Sequence, residues 1–314
     1  KERGLSVFNQ GINLMPVALA AEASHDFART RKEGKDVYLS IDAFIQSIVD
    51  EELQRGIADA QAKKITSIVM DAQSGEILGM GQYPTFNPNQ LNDVSVENLK
   101  NYVIQDSFEP GSTFKPLVAA VALDQGLTRV DEQIDCEMGH YQVGKHTIRD
   151  VHPAGILTFR DVLVRSSNVC MTKLGQRLGK DKLSAALKNF GFGEAVGIRL
   201  QGEGEGILRS ASSWANIDVA THSFGQGISV TALQMVQAYS ALVNDGVMVT
   251  PTIMKVEPGK VQSKQVFKPE TARKMFEVLT GVTTDPHGTG KGGAIQGVRV
   301  AGKTGTAQKP KAGA

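Results

Sequence analysis

The chain has 314 residues, 41% of them hydrophobic, which suits one large domain or two modest ones with a sizeable buried core. The formal net charge is +1, so no electrostatic reason points to a nucleic-acid partner. No apolar run approaches the roughly 18–20 residues of a membrane span, and Leu14 to Ala23, the softest stretch, is too short to cross. Either the protein is soluble or an anchor lies outside this sequence.

Residues 1–35 show little periodicity and read as the remnant of something preceding, or as a loose arm. Val37 to Ile41 predicts a short strand. Ile41, Phe44, Ile45, Ile48, Val49, Leu53 and Ile57 recur at helical spacing and predict a long amphipathic helix. Ile65–Asp71 and Glu76–Gln82 read as strands of a β-hairpin, turning through Ala72 to Gly75. A Pro- and Asn-rich loop (84–90) follows, then a helix over 112–124 entered through Pro110-Gly111. Residues 157–245 are mostly helical. Thr231 and Gln234 form a capping box ahead of Met235, Val236, Tyr239 and Leu242, and Gly246 is placed to end that helix. A strand near 247–256, a helix near 269–281, a glycine-rich loop from Gly288 to Gly293 and a strand-like alternation from Gln296 to Thr304 complete the chain. The class is α+β, a sheet built from both chain ends with a helical block between.

Three short motifs carry chemistry. In Ser112-Thr113-Phe114-Lys115, a serine and a lysine three apart share one helix face. At a helix start, free N–H groups and the dipole favour charge developing on Ser112, and Lys115 can take its proton. That role needs a neutral amine, and at an ordinary pKa only about one lysine in 2,500 is neutral at pH 7. Burial and a second cation must therefore depress it. In Ser166-Ser167-Asn168, Ser166 can relay a proton and Asn168 offers a donor and an acceptor to an amide substrate. In Lys303-Thr304-Gly305-Thr306, the ammonium and the two hydroxyls can hold a carboxylate. Gly305 admits a substrate backbone, and Lys303 can be the second cation beside Lys115. Taken singly, the first two motifs are better explained by a helix cap and a helix-to-helix turn; the joint occurrence of all three in this order is what carries the functional reading.

The set, with Phe108-Glu109-Pro110-Gly111 before Ser112, Pro116 after Lys115, Arg165 and Val169 around the second motif and Ser223-Phe224-Gly225-Gln226-Gly227 between, resembles the class B penicillin-binding proteins. The likeness runs from about Lys35 to the end. It implies a penicillin-binding protein/β-lactamase-like transpeptidase fold: a five-stranded antiparallel sheet flanked by helices, beside an all-helical subdomain, with the site between them. It makes 36–314 the transpeptidase domain and 1–35 the remnant of a non-catalytic domain or linker. It implies peptidoglycan stem peptides ending in D-Ala-D-Ala as donors and β-lactams as acylating mimics. Ser112, Lys115 and Ser166 become catalytic, with Asn168, Lys303, Thr304, Gly305 and Thr306 binding substrate. The backbone N–H groups of Ser112 and Thr306 become the oxyanion hole. No cofactor or metal is implied. Membrane proteins of the division or elongation machinery are implied partners, and the catalytic domain is extracytoplasmic. The family continues past this point with a further strand and a C-terminal helix, without which Lys303 is expected on an exposed sheet edge.

Other readings fit less well. No glutamate stands four before Asn189, Asn216 or Asn244, as deacylation in a class A β-lactamase would require, and class D enzymes replace serine–x–asparagine with serine–x–valine. A β-lactam sensor does not need the segments around Phe108 and Phe224. Gly297 to Thr304 matches a phosphate-loop pattern, but its β-forming residues and Pro310 make a poor helix start. Cys136 and Cys170 read as ordinary packed thiols, their spacing leaving a disulfide open. The six histidines show no ligand spacing, and His152 and His222 read as loop or packing residues. Glu203 and Glu205 read as a solvated loop, and Arg149-Asp150 as a structural ion pair.

Overall fold

The structure is a computed structural model that describes residues 34–92 and 94–307. All but the last two residues of the arm expected over 1–35 lie outside them.

Asp42 caps the first helix, α1 (Ala43–Asp59), accepting from the N–H groups of Phe44 and Ile45 at 2.9 and 3.0 Å. Gln46, Val49 and Leu53 form its buried face, packed on the hairpin of β1 (Ile65–Met70) and β2 (Ile77–Tyr83). The hairpin turns through Asp71, whose carboxylate accepts from Gln73 and Ser74. Then follow α2 (Tyr102–Gln105), β3 (Ser107–Phe108), a 3₁₀ turn at Gly111–Phe114 and α3 (Lys115–Asp124). Short antiparallel elements come next: β4 (Gln133–Asp135), β5 (His140–Val143), β6 (His146–Arg149) and β7 (Ile156–Thr158). They lead into α4 (Phe159–Val164) and α5 (Asn168–Asn189), the latter broken at Gly179. The chain ends through α6 (Asn216–His222), β8 (Val230–Thr231), α7 (Ala232–Val243), β9 (Val247–Val249), β10 (Ser263–Gln265) and α8 (Pro269–Thr284).

The main core gathers α3, α4, α5, α7 and α8. Every residue of α3 from Lys115 to Ala122 is buried, the signature of a helix surrounded by others. Leu117 and Val118, at 0% and 1% exposure, contribute roughly 1.5–3 kcal/mol each by leaving water. A second, smaller cluster of Ile77, Val103, Ile104, Ile198, Leu233 and Ile253 joins the hairpin to α7.

Five expectations are corrected. The described residues pair as two-stranded antiparallel ladders, β1–β2, β3–β8, β4–β7, β5–β6 and β9–β10, rather than as one five-stranded sheet. The strand near Val37–Ile41 is reduced to one bridge, Leu39 to Met254, and the one near 247–256 to three paired residues and isolated bridges. Gln296–Thr304 forms no ladder, only a local Ile295–Val298 bridge. It lies along α8 instead, with Gly302 N–H donating to the Leu279 carbonyl and Thr283 Oγ1 to that of Val300. Its first residues, 296–299, are exposed, and only 300–303 are partly covered. Lys303 therefore sits half-buried against Ser166 and not on a sheet edge.

Candidate active site

The first motif lies on a tight turn. Gly111 has φ +52°, open to glycine but strained for other residues, and its N–H donates to the Gly225 carbonyl at 2.9 Å. A Cβ on Gly111 would stand 2.7 Å from the Thr306 carbonyl oxygen, so the turn and residues 305–307 are in direct contact. Ser112 sits within the 3₁₀ turn and Lys115 opens α3. The Lys115 N–H donates to the Ser112 carbonyl, which joins the two residues across the step from the turn into α3. The Tyr239 hydroxyl donates to the Thr113 carbonyl and fixes the turn from α7. Burial pushes that phenol above its ordinary range.

The second motif joins α4 to α5. Ser166 has φ +62°. Lys115 Nζ, fully buried, donates to the Ser166 carbonyl at 2.6 Å and to Ser166 Oγ at 3.1 Å. Asn168 opens α5, its Nδ2 donating to the Arg149 carbonyl at 2.9 Å, while Ser167 caps the helix by accepting from Cys170 N–H at 3.0 Å. Arg149 and Asp150 do not pair. The Asp150 carboxylate instead accepts from Ser167 Oγ and from the N–H groups of Asn168 and Val169.

The third motif lies across the cleft. Lys303 Nζ donates to Ser166 Oγ at 3.0 Å and to the Thr304 carbonyl at 3.0 Å. Thr304 Oγ1 donates to Thr289 Oγ1 at 2.7 Å. A Cβ on Gly305 would meet Thr113 Cγ2 at 2.6 Å, so only glycine lets this segment lie on the Ser112 turn. The main-chain groups of Ser112 and Thr306 consequently border the same space. That space is a cleft of about 630 Å³ lined by Ser112, Ser166, Asn168, Thr304, Gly305 and Thr306, with Arg149, His152, Arg165, Phe224 and Gln226 at its walls.

Two ammonium groups thus converge on one hydroxyl. Burial, and next the Lys303 ammonium, hold Lys115 well below the usual lysine pKa, while Asp150 opposes them. Burial lowers Lys303 to about 8. Burial and the Lys303 ammonium both move Lys115 toward its neutral form.

The sequence reading missed several supports. Glu109 accepts from Gly227 N–H at 2.9 Å, tying the Ser112 turn to the Ser223–Gly227 segment. Cys136 and Cys170 are disulfide-bonded, with Cα atoms 5.0 Å apart, rather than free thiols. Glu203 is no solvated loop residue, since its carboxylate accepts from the N–H groups of Val196, Gly197 and Ile198. His222 is a packing residue, fully buried 4.5 Å from the Trp214 ring with Nδ1 bonded to the Gln226 carbonyl. His152 lines the cleft from a loop. Residues 305–307 begin no helix, which removes the phosphate-loop geometry.

The pattern of the family described as penicillin binding protein transpeptidase domain matches residues 65–314. The chain is 38% identical over 278 residues to a Neisseria meningitidis protein named "Probable peptidoglycan D,D-transpeptidase PenA", covering 88% of this chain and 47% of that one. It is 36% identical over 271 residues to the peptidoglycan D,D-transpeptidase FtsI of Escherichia coli K12, covering 86% and 45%. The chain spans about half the length of the curated relatives it matches. Among solved structures, the transpeptidase domain of Burkholderia pseudomallei penicillin-binding protein 3 superposes with a TM-score of 0.81 at 32% identity, covering 90% of this chain and 81% of that one.

Proposed function

Because the chain belongs to the penicillin-binding protein transpeptidase family, of the class B type, we propose that it is a serine D,D-transpeptidase that cross-links peptidoglycan stem peptides. The single observation that carries the mechanism is the meeting of Lys115 and Lys303 on Ser166 Oγ, at 3.1 and 3.0 Å, beside Ser112.

Lys303, Thr304 and Thr306 hold the C-terminal carboxylate of a donor ending in D-Ala-D-Ala, and Asn168 orients its amide. Neutral Lys115 takes the proton of Ser112 as its Oγ adds to the penultimate carbonyl. The N–H groups of Ser112 and Thr306 stabilise the oxyanion; such donors are worth roughly 3–4 kcal/mol each. The proton passes from Lys115 through Ser166 Oγ to the departing amine, D-Ala leaves, and an acyl ester remains on Ser112. An amine of a second stem peptide then attacks the ester, restoring the serine and forming the cross-link. A β-lactam enters the same path, its ring amide opening onto Ser112.

No helix among the described residues is long and apolar enough to cross a membrane. The Cys136–Cys170 disulfide supports an oxidising, extracytoplasmic setting for the domain, where membrane proteins of the division or elongation machinery are its expected partners. The test is incubation with fluorescent penicillin followed by mass mapping of the labelled peptide. The label should fall on Ser112 and vanish in Ser112→Ala; a label elsewhere, or one that survives the substitution, overturns the assignment.

A further inference from the structure

We propose that Asp150 is a positioning residue for acyl transfer, its carboxylate setting the turn that carries Ser166 and Asn168 toward Ser112. The inference rests on the reaction assigned to Ser112 above. Asp150 follows β6 directly and meets the start of α5. Its Oδ2 accepts from Ser167 Oγ at 2.7 Å, and its Oδ1 from the N–H groups of Asn168 at 2.5 Å and Val169 at 2.9 Å. Those N–H groups are among the first of a helix, which have no partner inside it, and a carboxylate there is further favoured by the helix dipole. Ser167 extends the tie one turn inward to Cys170, and the Arg149 carbonyl takes the Asn168 side chain. Residues 149 and 150 therefore grip Asn168 by both its backbone and its amide.

The grip matters because the turn is strained. Ser166 holds φ +62°, a conformation that residues with a Cβ rarely adopt and that persists only where its surroundings impose it. Lys115 imposes it from the α3 side through the Ser166 carbonyl, and Asp150 from the hairpin side. Released from Asp150, the start of α5 is free to fray, and Ser166 Oγ loses its fixed place between the two ammonium groups.

A second consequence is electrostatic. The charged groups acting on Lys115 are Lys303, which lowers its pKa, and Asp150, which raises it. A neutral residue of the same shape at 150 should retain the grip yet let Lys115 lose its proton at lower pH.

The test measures acylation by fluorescent penicillin from mildly acidic to mildly alkaline pH in wild type, Asp150→Ala and Asp150→Asn. Asp150→Ala should acylate about 10- to 100-fold more slowly, as expected when buried donors lose an ionised acceptor. Asp150→Asn keeps an oxygen for the two backbone donors and offers Nδ2–H to Ser167 Oγ. It should recover most of the rate, with the rising limb of its pH profile displaced to lower pH. Wild-type rates in Asp150→Ala overturn the proposal, as does an Asp150→Asn profile whose limb does not move. Should the alanine variant fail to fold, the asparagine limb decides alone. A wild-type protein that takes no label overturns the reaction at Ser112 instead, so the two failures are distinct.

Discussion

The Ser166–Asn168 turn and the Lys303–Thr306 segment meet at one hydroxyl but are built in opposite ways. The turn is tied by Lys115, by Asp150, by the Ser167 cap and, one helical turn on, by the Cys136–Cys170 disulfide. The segment joins no ladder, its residues from Thr304 to Thr306 are exposed, and its ties are single contacts to Ser166, Thr289 and, through Gly302, Leu279. The side proposed to move protons is rigid before substrate arrives. The side proposed to hold the substrate's end leaves extended backbone open, as a site that pairs with a peptide requires.

The sharpest way to break this contrast is to remove the rigid side's proposed base. Lys115→Ala should lower the acylation rate by roughly 10²- to 10⁴-fold, the span expected of a lost general base, with the protein still folded by circular dichroism. A rate within tenfold of wild type would mean that the proton leaves Ser112 by another path.

The next test asks whether the turn's ties are redundant. The disulfide closes a loop with a sequence separation of 34, which by chain entropy stabilises the fold by roughly 3–4 kcal/mol. Replacing Cys136 and Cys170 together by alanine should lower stability in urea by about that amount while leaving acylation near wild type, because Asp150 and Lys115 still clamp the turn. A collapse of acylation with the fold intact would show that the disulfide, not the carboxylate, sets the site.

Much of this was legible in the sequence where the signal is local. The apolar spacing from Ile41 to Ile57 marks α1, and the capping box is realised with Gln234 N–H on Thr231 Oγ1 and Thr231 N–H on Gln234 Oε1. Each of the three motifs carries its candidate chemistry within four residues, and the structure brings Lys115, Ser166 and Lys303 together. What the sequence hid is non-local. The alternation over 296–304 suggested a strand, yet 296–299 are exposed and only the 300–303 end is tied to α8, through Val300 and Gly302. Asp150 lies sixteen residues before Ser166, and nothing in its neighbourhood distinguishes an ion pair with Arg149 from a helix cap. Glu203 sits between glycines like a solvated loop, yet those glycines let the chain fold back so that three backbone donors reach its carboxylate. The cysteines pair because α5 passes the 133–136 segment, a matter of topology rather than spacing.

The mildest effect is expected on the open side, and its pH dependence identifies it. Lys303 has its pKa lowered to about 8 by burial, so its charge is present at neutral pH and lost as pH rises through that value. A charge-assisted contact to a substrate carboxylate is worth about 1.5–3 kcal/mol, so Lys303→Ala should reduce the second-order acylation constant by roughly 10- to 100-fold. The loss should appear mainly as weaker binding, since the proton-transfer groups remain. Wild type should itself lose efficiency above about pH 8 as the ammonium titrates, and the variant should not show that falling limb. Its rising limb should also move to higher pH, because removing a neighbouring cation lets Lys115 keep its proton longer. That shift is opposite in sign to the one expected from Asp150→Asn. If both substitutions move the rising limb the same way, Lys115 is not the group that titrates, and the contrast between a rigid proton-handling side and an open anchoring side fails with it.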